Sequence, residues 1–291
     1  MTSTDDAAIF EQHRAVLLAL GYRMLGDTAS AEDIVQEAWL RWCQRDAQVE
    51  NPRSYLLTIA ARLCLNQLAS ARARHEEPRS WLPEPIEVTQ EDDDELELME
   101  QVSMAFLVAL QRLSPAERAV LLLHEVFDFS HAEIAALLRR TEAGTRQILK
   151  RARDGIADQR RITAASHDEH RRLLRAFGEA ARHGDLAALA AMLADDAVLI
   201  TDGGPAGVRS GRVRNLRRPL HGAKQIVAFV TAADGSAWQD CRDHLLNGQP
   251  ALVAYRDGQP FAAAFLAIAD GRIVQVFIQA DAARLRRIAT A

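Results

Sequence analysis

The side chains best suited to read DNA lie in the segment 142–153, EAGTRQILKRAR, near the middle of the sequence. Placed at 100° intervals, its apolar residues share one face of a helix, and basic and amide side chains share the other. Such side chains donate hydrogen bonds to base edges and phosphate oxygens. The pattern predicts a helix for the major groove of DNA; the alternative is a basic surface helix of an unrelated bundle. The donors are Arg146, Gln147, Lys150 and Arg151.

The residues before this helix predict the elements that position it. Ser130 and Glu133 form the S-x-x-E pattern of a capping box, which starts a short helix, and the same pattern occurs one helix earlier. Thr141 is predicted to cap the basic helix. A short helix, a tight turn and a basic second helix together predict a helix-turn-helix. The pair Arg139-Arg140 forms the turn, where glycine is the usual residue.

An earlier helix, SAEDIVQEAWLRW, is predicted to carry an acidic surface and to begin with the capping pattern Ser30-x-x-Asp33. The stripe predicted to be buried consists of Ile34, Val35, Ala38, Trp39 and Trp42. A leucine lies in the middle of the opposite side, and an acidic rim around an exposed leucine suits a basic protein partner. The alternative is a solvated face on which Asp33 only serves the cap. The surface consists of Asp33, Gln36, Glu37 and Leu40.

A second helix is predicted at about 53–72, entered through Asn51-Pro52-Arg53-Ser54. Its later half has a polar and basic side that is suited to nucleic acid, although surface arginines of this kind are ordinary. That side carries Arg62, Asn66, Ser70, Arg72 and Arg74.

Charge along the chain reveals a linker. The whole sequence of 291 residues has a net charge of −5, which argues against binding to nucleic acid. Residues 76–100, however, carry 11 acidic side chains and one basic, so the remaining regions together are basic. Three prolines accompany the acidic run. Proline and like charge both oppose helix formation, so this segment is predicted to connect two helical regions.

Composition sets the class of protein. With 48% apolar and 26% charged residues, the chain can bury cores. Its three cysteines lie far apart, which argues against a disulfide framework and a thiolate metal site. No apolar run is long enough to span a bilayer, and the acidic start MTSTDDAAIF is unlike a secretory signal. The sequence predicts a soluble, cytoplasmic protein without a metal or other cofactor.

The last third of the chain has a different pattern. A helix is predicted at about 167–182, and β-branched stretches follow from 197 onward. Three dipeptides of the kind found in tight hairpins separate them, namely Asn247-Gly248, Asp257-Gly258 and Asp270-Gly271. The strands are predicted at 249–255, 260–268 and 272–279. This region is therefore an α+β domain.

Taken together, these segments resemble an extracytoplasmic-function (ECF) RNA polymerase sigma factor. GDTASAEDIVQEAWLRW and NPRSYLLTIAARLCLNQLASARARHE are similar to region 2 of that family, and LSPAERAVLLLHEVFDFSHAEIAALLRRTEAGTRQILKRAR is similar to region 4. The C-terminal residues resemble the cone-shaped SnoaL/NTF2-like fold. The implied multidomain architecture is a sigma2 helical bundle at 1–75, the acidic linker at 76–100, a sigma4 helix-turn-helix at 101–161 and an α+β SnoaL-like regulatory domain at 163–291.

The resemblance also implies partners and roles. The partners are bacterial core RNA polymerase and promoter DNA, with no membrane. The acidic surface of Asp33, Gln36, Glu37 and Leu40 matches the helix that binds the polymerase. The residues that match the segment opening and reading the −10 element are Asn51, Arg53, Arg62, Asn66 and Arg72. Those that match the reader of the −35 element are Thr141, Arg146, Gln147, Lys150 and Arg151.

A subgroup of this family, the ECF41 and SigJ-like group, carries a WLPEP linker motif and a SnoaL-like extension. Here the linker motif is Trp81-Leu82-Pro83-Glu84-Pro85, and the turn Asp202-Gly203-Gly204 stands where the subgroup has a DGGGK-type motif. The chain departs from the pattern at Pro205-Ala206-Gly207 and at Gln279-Ala280-Asp281-Ala282-Ala283. The motif and the turn are expected to meet at one regulatory interface in a compact state that keeps the DNA-reading helices too close together to span a promoter.

Two other functions stay open at this point. The cone fold often houses catalysis or an unknown small ligand, and the candidate bases are Asp196 and Asp202, with His221 or His244 as partner. No spacing among them is diagnostic, so no catalytic residue is assigned. A helix-turn-helix regulator whose SnoaL-like domain binds a small molecule, or has residual isomerase or hydrolase activity, is the alternative to a sigma factor. An ordinary repressor would have no use for the acidic surface.

Overall fold

A computed structural model describes residues 3–45, 48–73, 82–87, 102–157, 167–204, 207–210, 213–216, 218–233 and 238–290. The described residues form two compact units. The first contains the helices before residue 74 and those of residues 109–157. The second contains residues 82–87, residues 102–108 and the chain from 167 onward.

Three long helices open the first unit: α1 (Ser3–Leu25), α2 (Thr28–Cys43) and α3 (Pro52–Ala73). The predicted start of α2 at Ser30 is wrong. The helix begins two residues earlier, and the Asp27 side chain caps it by accepting a hydrogen bond from the Ser30 backbone at 2.7 Å. The predicted stripe of α2 is buried except for Trp39, which is half-buried. Trp39 lies edge-on to Phe10 of α1, with 5.0 Å between the ring centres.

The predicted helix-turn-helix is present in the same unit. After α4 (Met104–Arg112) come α5 (Pro115–Glu125), α6 (His131–Leu138) and α7 (Glu142–Gly155). Complete capping boxes start α5 and α6, because in each the serine hydroxyl and the glutamate carboxylate bond to one another's backbone N–H groups. Arg139 adopts the left-handed conformation, φ 53°, that the turn requires. An arginine therefore occupies a position at which glycine would be unstrained.

The second unit is built on one sheet. Its remaining helices are α8 (His167–His183), α9 (Leu186–Met192), α10 (Ala223–Ala232) and α11 (Ala282–Leu285). Its strands are β1 (Leu193–Asp202), β2 (Arg209–Ser210), β3 (Val213–Arg214), β4 (Leu220–His221), β5 (Cys241–Leu246), β6 (Gln249–Arg256), β7 (Gln259–Ala269) and β8 (Arg272–Gln279). Six strands pair in the order β4-β1-β8-β7-β6-β5, and β2 and β3 form a separate pair. Only the β1–β8 pairing of the large sheet is parallel.

Three two-residue turns join β5, β6, β7 and β8 into successive antiparallel hairpins. Asn247, Asp257 and Asp270 all have positive φ, and so do the glycines that follow them. Two successive residues with positive φ match the twist of antiparallel strands joined by a two-residue turn. The hairpin prediction is confirmed, and each of the three predicted strands agrees with its observed bounds to within one residue.

Each face of the large sheet is covered by a different set of residues. On one face, α8, α9 and α10 bury a core that includes Leu174, Leu189 and Ile226. On the other, the core combines strand residues such as Phe265 and Phe277 with Leu285 and Ile288 near the C-terminus. Leu82, Met104, Ala105 and Val108 belong to this second core. The fold is the predicted combination of helical domains with a C-terminal α+β domain. Residues 167–290 are called the cone domain below, and residues 82–87 the linker segment.

Candidate nucleic-acid interface and linker-binding site

Helix α7 exposes a basic surface. The Thr141 hydroxyl caps it by accepting a hydrogen bond from the Gly144 backbone at 3.1 Å. The apolar face is buried through Thr145, Ile148, Leu149 and Ala152. Arg146, Gln147, Lys150 and Arg151 are all exposed, as the sequence predicts.

The two arginines of this surface have only weak intramolecular partners. Arg146 pairs with Glu142 at 3.3 Å, and Arg151 pairs with Glu117 at 3.3 Å; both arginine side chains are more than half exposed. Exposed pairs of this kind contribute about 0–1 kcal/mol, so exchanging the carboxylate for a DNA phosphate costs little. The pKa of Glu117 is lowered chiefly by the Ser114 hydroxyl that donates to it, and Arg151 adds to the effect. The main role of the Glu117 carboxylate is therefore to complete the capping box of α5.

The acidic surface of α2 is exposed to solvent. Asp33 and Gln36 are exposed, Glu37 is half-buried, and Leu40 keeps 52% of its surface accessible. Glu37 also pairs with Arg41 on the next turn at 2.9 Å. Asp27 is the cap, so Asp33 has no capping role. An exposed leucine bordered by carboxylates is a surface that a basic partner with an apolar centre can bind.

The residues proposed for the −10 element lie along α3. The Asn51 side chain accepts a hydrogen bond from the Ser54 backbone at 3.0 Å at the start of the helix. Arg62 and Asn66, one turn apart, are both exposed. Arg72 belongs to α3, but its side chain lies outside the described part of the structure. Arg53 has another partner, because its guanidinium donates to the Phe127 carbonyl at 3.2 Å.

Arg53 takes part in a contact within the first unit. There the helices before residue 74 meet α5, α6 and the residues between those two helices. Arg118 of α5 is 5% exposed and donates to the Met24 carbonyl at the end of α1. Ser54 of α3 contacts the Glu133 carboxylate of α6 at 3.5 Å. In this structure Arg53, a candidate −10 residue, therefore donates its hydrogen bond to the protein itself. No local pattern in the sequence predicts this contact, because Arg118 and Met24 lie 94 positions apart in the chain.

The linker segment is bound by the cone domain at its first residue. The Leu82 N–H donates to the Asp202 carboxylate at 3.2 Å, and the Gln279 side-chain amide donates to the Leu82 carbonyl at 3.4 Å. The other oxygen of Asp202 accepts from the Gly204 backbone at 2.9 Å. Gly204 has φ +67°, and a Cβ there would lie 2.6 Å from the Asp281 carboxyl carbon. The turn therefore requires glycine at this position.

The rest of the linker segment is buried against the same domain. Leu82 and Glu84 are each 1% exposed, and Pro83 and Pro85 are buried. Trp81, the first residue of the WLPEP motif, lies outside the described residues. The segment ends against Asn247, whose side chain and backbone exchange two hydrogen bonds with Ile86 at 3.2 and 2.8 Å. In the sequence, Asn247 is recognisable only as part of a turn dipeptide and not as a partner of the linker segment.

The candidate catalytic residues are not gathered in one pocket with free functional groups. Asp196 and His221 are exposed. Both oxygens of Asp202 accept backbone hydrogen bonds, and His244 contacts Glu87 and Tyr255. The cone domain also has an apolar cavity beside Phe229, Trp238 and Ile278. Within the described ranges, no cluster of potential metal ligands occurs, and no helix could cross a membrane.

Comparison with known proteins identifies the class. Residues 9–74 match Sigma-70 region 2, and residues 103–154 match Sigma-70, region 4. The ECF RNA polymerase sigma factor SigJ of Mycobacterium tuberculosis is 34% identical over 226 residues, which cover 76% of this chain and 70% of SigJ. A protein of the same species named probable ECF RNA polymerase sigma factor SigI is 32% identical over 289 residues, covering 94% and 92% of the two chains.

A solved structure extends the similarity to all domains. The crystal structure of the extracytoplasmic function sigma factor SigJ of Mycobacterium tuberculosis superposes with a TM-score of 0.73 at 27% identity, over 97% of this chain and 98% of that one. The chain therefore belongs to the family of ECF RNA polymerase sigma factors. It is a sigma factor that directs transcription initiation, and its relatives are not enzymes.

Proposed function

We propose that this sigma factor binds bacterial core RNA polymerase through the acidic surface of α2 and recognises promoter DNA through α3 and α7 in the cytoplasm. The observation that carries the DNA part is the exposed basic face of α7, whose opposite face is fully buried. A helix fixed in this way can present donors to the major groove without reorganising. The polymerase part is supported by the exposed Leu40 among carboxylates.

Transcription in vitro tests this proposal. The full-length protein is mixed with bacterial core polymerase and DNA selected from the host genome, and initiation is expected at promoters with spaced −35 and −10 elements. A pull-down in which core polymerase does not associate would overturn the assignment.

The cone domain is proposed to regulate the helical regions through the linker segment. Eight residues separate Ala73, the end of α3, from Leu82. At about 3.4 Å per residue they reach at most about 30 Å, so binding of the linker segment is proposed to shorten the tether available to region 2. When the linker segment is released, the thirty residues between Ala73 and Met104 can extend to about 100 Å. Promoter elements centred 25 base pairs apart are separated by about 85 Å.

Binding of the linker segment is therefore proposed to disfavour promoter engagement, with polymerase shifting the balance because it binds the open form more tightly. Two truncations test this regulation. Removal of everything after about residue 165, and removal of only the last ten residues, should both lower the polymerase concentration needed for half-maximal transcription. If both proteins transcribe like the full chain over a range of polymerase concentrations, the cone domain is not a regulator.

A further inference from the structure

A closed hydrogen-bond network lies where the linker segment ends. Glu87 contacts His244 Nδ1 through Oε1 at 2.5 Å, and its Oε2 accepts from the Ala289 N–H at 2.8 Å. The Tyr255 hydroxyl lies 2.7 Å from His244 Nε2 and donates to the Ala289 carbonyl at 3.0 Å. The network joins the linker segment, strands β5 and β6, and the end of the chain.

Counting protons shows what the network requires. The Ala289 N–H supplies its own proton, which leaves three contacts: Glu87 with His244, His244 with Tyr255, and Tyr255 with the Ala289 carbonyl. A carboxylate has no proton, a neutral imidazole has one N–H and a phenol has one O–H. Three contacts thus share two protons. The network is complete only when His244 and Glu87 together hold one further proton, as an imidazolium beside a carboxylate.

The surrounding groups fit this arrangement. Burial raises the pKa of Tyr255, and the Glu87 carboxylate raises it further, so the phenol keeps its proton and stays a donor. The Arg242 guanidinium lies over the Tyr255 ring at 5.0 Å and is itself 3.7 Å from Asp240. Arg287, beside Ala289 in the chain, approaches Glu84 at 3.9 Å. The side chains of His244 and Glu87 are only 12% and 14% exposed, which limits replacement of a lost contact by water.

The end of the chain is also held by apolar packing. Leu285 and Ile288 are 1% and 2% exposed and lie in the same core as Leu82. The linker segment and the chain end therefore pack in the same apolar core. The hydrogen-bond network connects them at the edge of that core.

We propose that Glu87, His244 and Tyr255 form a pH-sensitive latch that fastens the linker segment and the chain end to the cone domain and loosens as the pH rises. The sign follows from linkage: the latched state binds one more proton than a released state with neutral imidazole, so lowering the pH stabilises it. The regulatory consequence rests on the proposed function of the linker segment.

Hydrogen exchange on the full-length protein tests the latch directly. Peptides covering 82–88 and 283–291 are followed by mass spectrometry from pH 5.5 to 8.5, with intrinsic exchange rates corrected. Exchange protection of the Ala289 region is expected to fall about tenfold or more as the pH rises. A change of this size corresponds to the loss of one buried hydrogen bond to a charged group. His244→Gln should remove this pH dependence. His183→Gln, at an exposed histidine of α8, is the matched control and should behave like the unaltered protein.

Protection that does not change with pH in the unaltered protein, or a pH dependence that survives in His244→Gln, overturns the latch. A second measurement needs no substitution: the ¹⁵N shifts of the His244 ring should show an imidazolium at pH 5.5, and a neutral ring there also overturns it. These readouts do not depend on transcription. A pH-dependent latch in a protein whose truncations transcribe normally would uphold the latch and refute the proposed regulation.

Discussion

Truncating Leu82 to alanine is expected to release the linker segment from the cone domain. Leu82 is 1% exposed and packs in the core that includes Phe265, Phe277 and Met104. Leu-to-Ala changes at such sites cost about 2–5 kcal/mol, which combines the lost burial with the cavity left behind. The backbone bonds of Leu82 to Asp202 and Gln279 do not involve its side chain. The loss therefore acts mainly on the equilibrium between bound and released linker.

A cost of about 3 kcal/mol corresponds to a factor of about 100 in that equilibrium. Exchange protection of the Ile86 amide, which donates to Asn247, should fall by this factor. In transcription titrated with core polymerase, the half-maximal polymerase concentration should decrease, because less binding energy is spent on releasing the linker.

The matched control is Leu189→Ala in α9. Leu189 is 0% exposed but lies in the core on the opposite face of the sheet. This variant should lower the free energy of unfolding of the cone domain by a similar amount. The exchange protection of the Ile86 amide should then fall no more than that of other amides in the domain. If both variants release the linker equally, the effect is one of domain stability. If Leu82→Ala releases it and the polymerase titration does not move, the linker segment does not restrain the sigma domains.

Three further predictions concern the helical unit. Asp33→Lys should weaken binding to core polymerase, chiefly by slowing association, and the difference from the unaltered protein should shrink in high salt; equal binding at low salt would contradict the docking role. Arg146→Ala or Lys150→Ala should cost about 1–3 kcal/mol on the native −35 sequence if the side chain contacts bases, whereas equal losses on a scrambled sequence would identify phosphate contacts. The pKa values of Glu117 and Glu133 are lowered from 4.5, first by the capping hydroxyls, so their stabilisation is present above about pH 4.5 and lost as the pH falls; acid unfolding followed by circular dichroism should show a weaker pH dependence when both are glutamine.

The elements that the sequence predicts well depend on interactions between near neighbours. The capping boxes of α5 and α6 and the cap of α7 each involve residues three apart. The hairpin turns depend on the positive φ of two adjacent residues. Such features are visible in sequence because the residues that form them are also their signal. The basic face of α7 follows from periodicity alone once its start is fixed.

The start of α2 shows why even local signals can mislead. Asp27 and Ser30 are both good capping residues, and Ser30 is followed by an acid three positions later. The choice is made by Gly26, whose φ of +73° turns the chain out of α1 immediately before Asp27. Ser30 then supplies the N–H that Asp27 accepts. Because Asp27 is the cap, Asp33 has no capping role, which removes one argument for the alternative of a solvated face.

The contact between the linker segment and the Asp202 turn follows only from the resemblance to the SigJ-like group, because no local pattern predicts partners so far away in the chain. Leu82 bonds to residues 120 and 197 positions later, and Ile86 to one 161 positions later. Those partners, Asp202, Gln279 and Asn247, are 3%, 0% and 1% exposed. Each would lose a buried hydrogen bond without the linker, and a buried polar group left unsatisfied costs about 1–3 kcal/mol. A cone domain produced without residues 82–87 should therefore be less stable than the same domain with the segment attached, which means that the linker segment is structurally part of the domain that binds it.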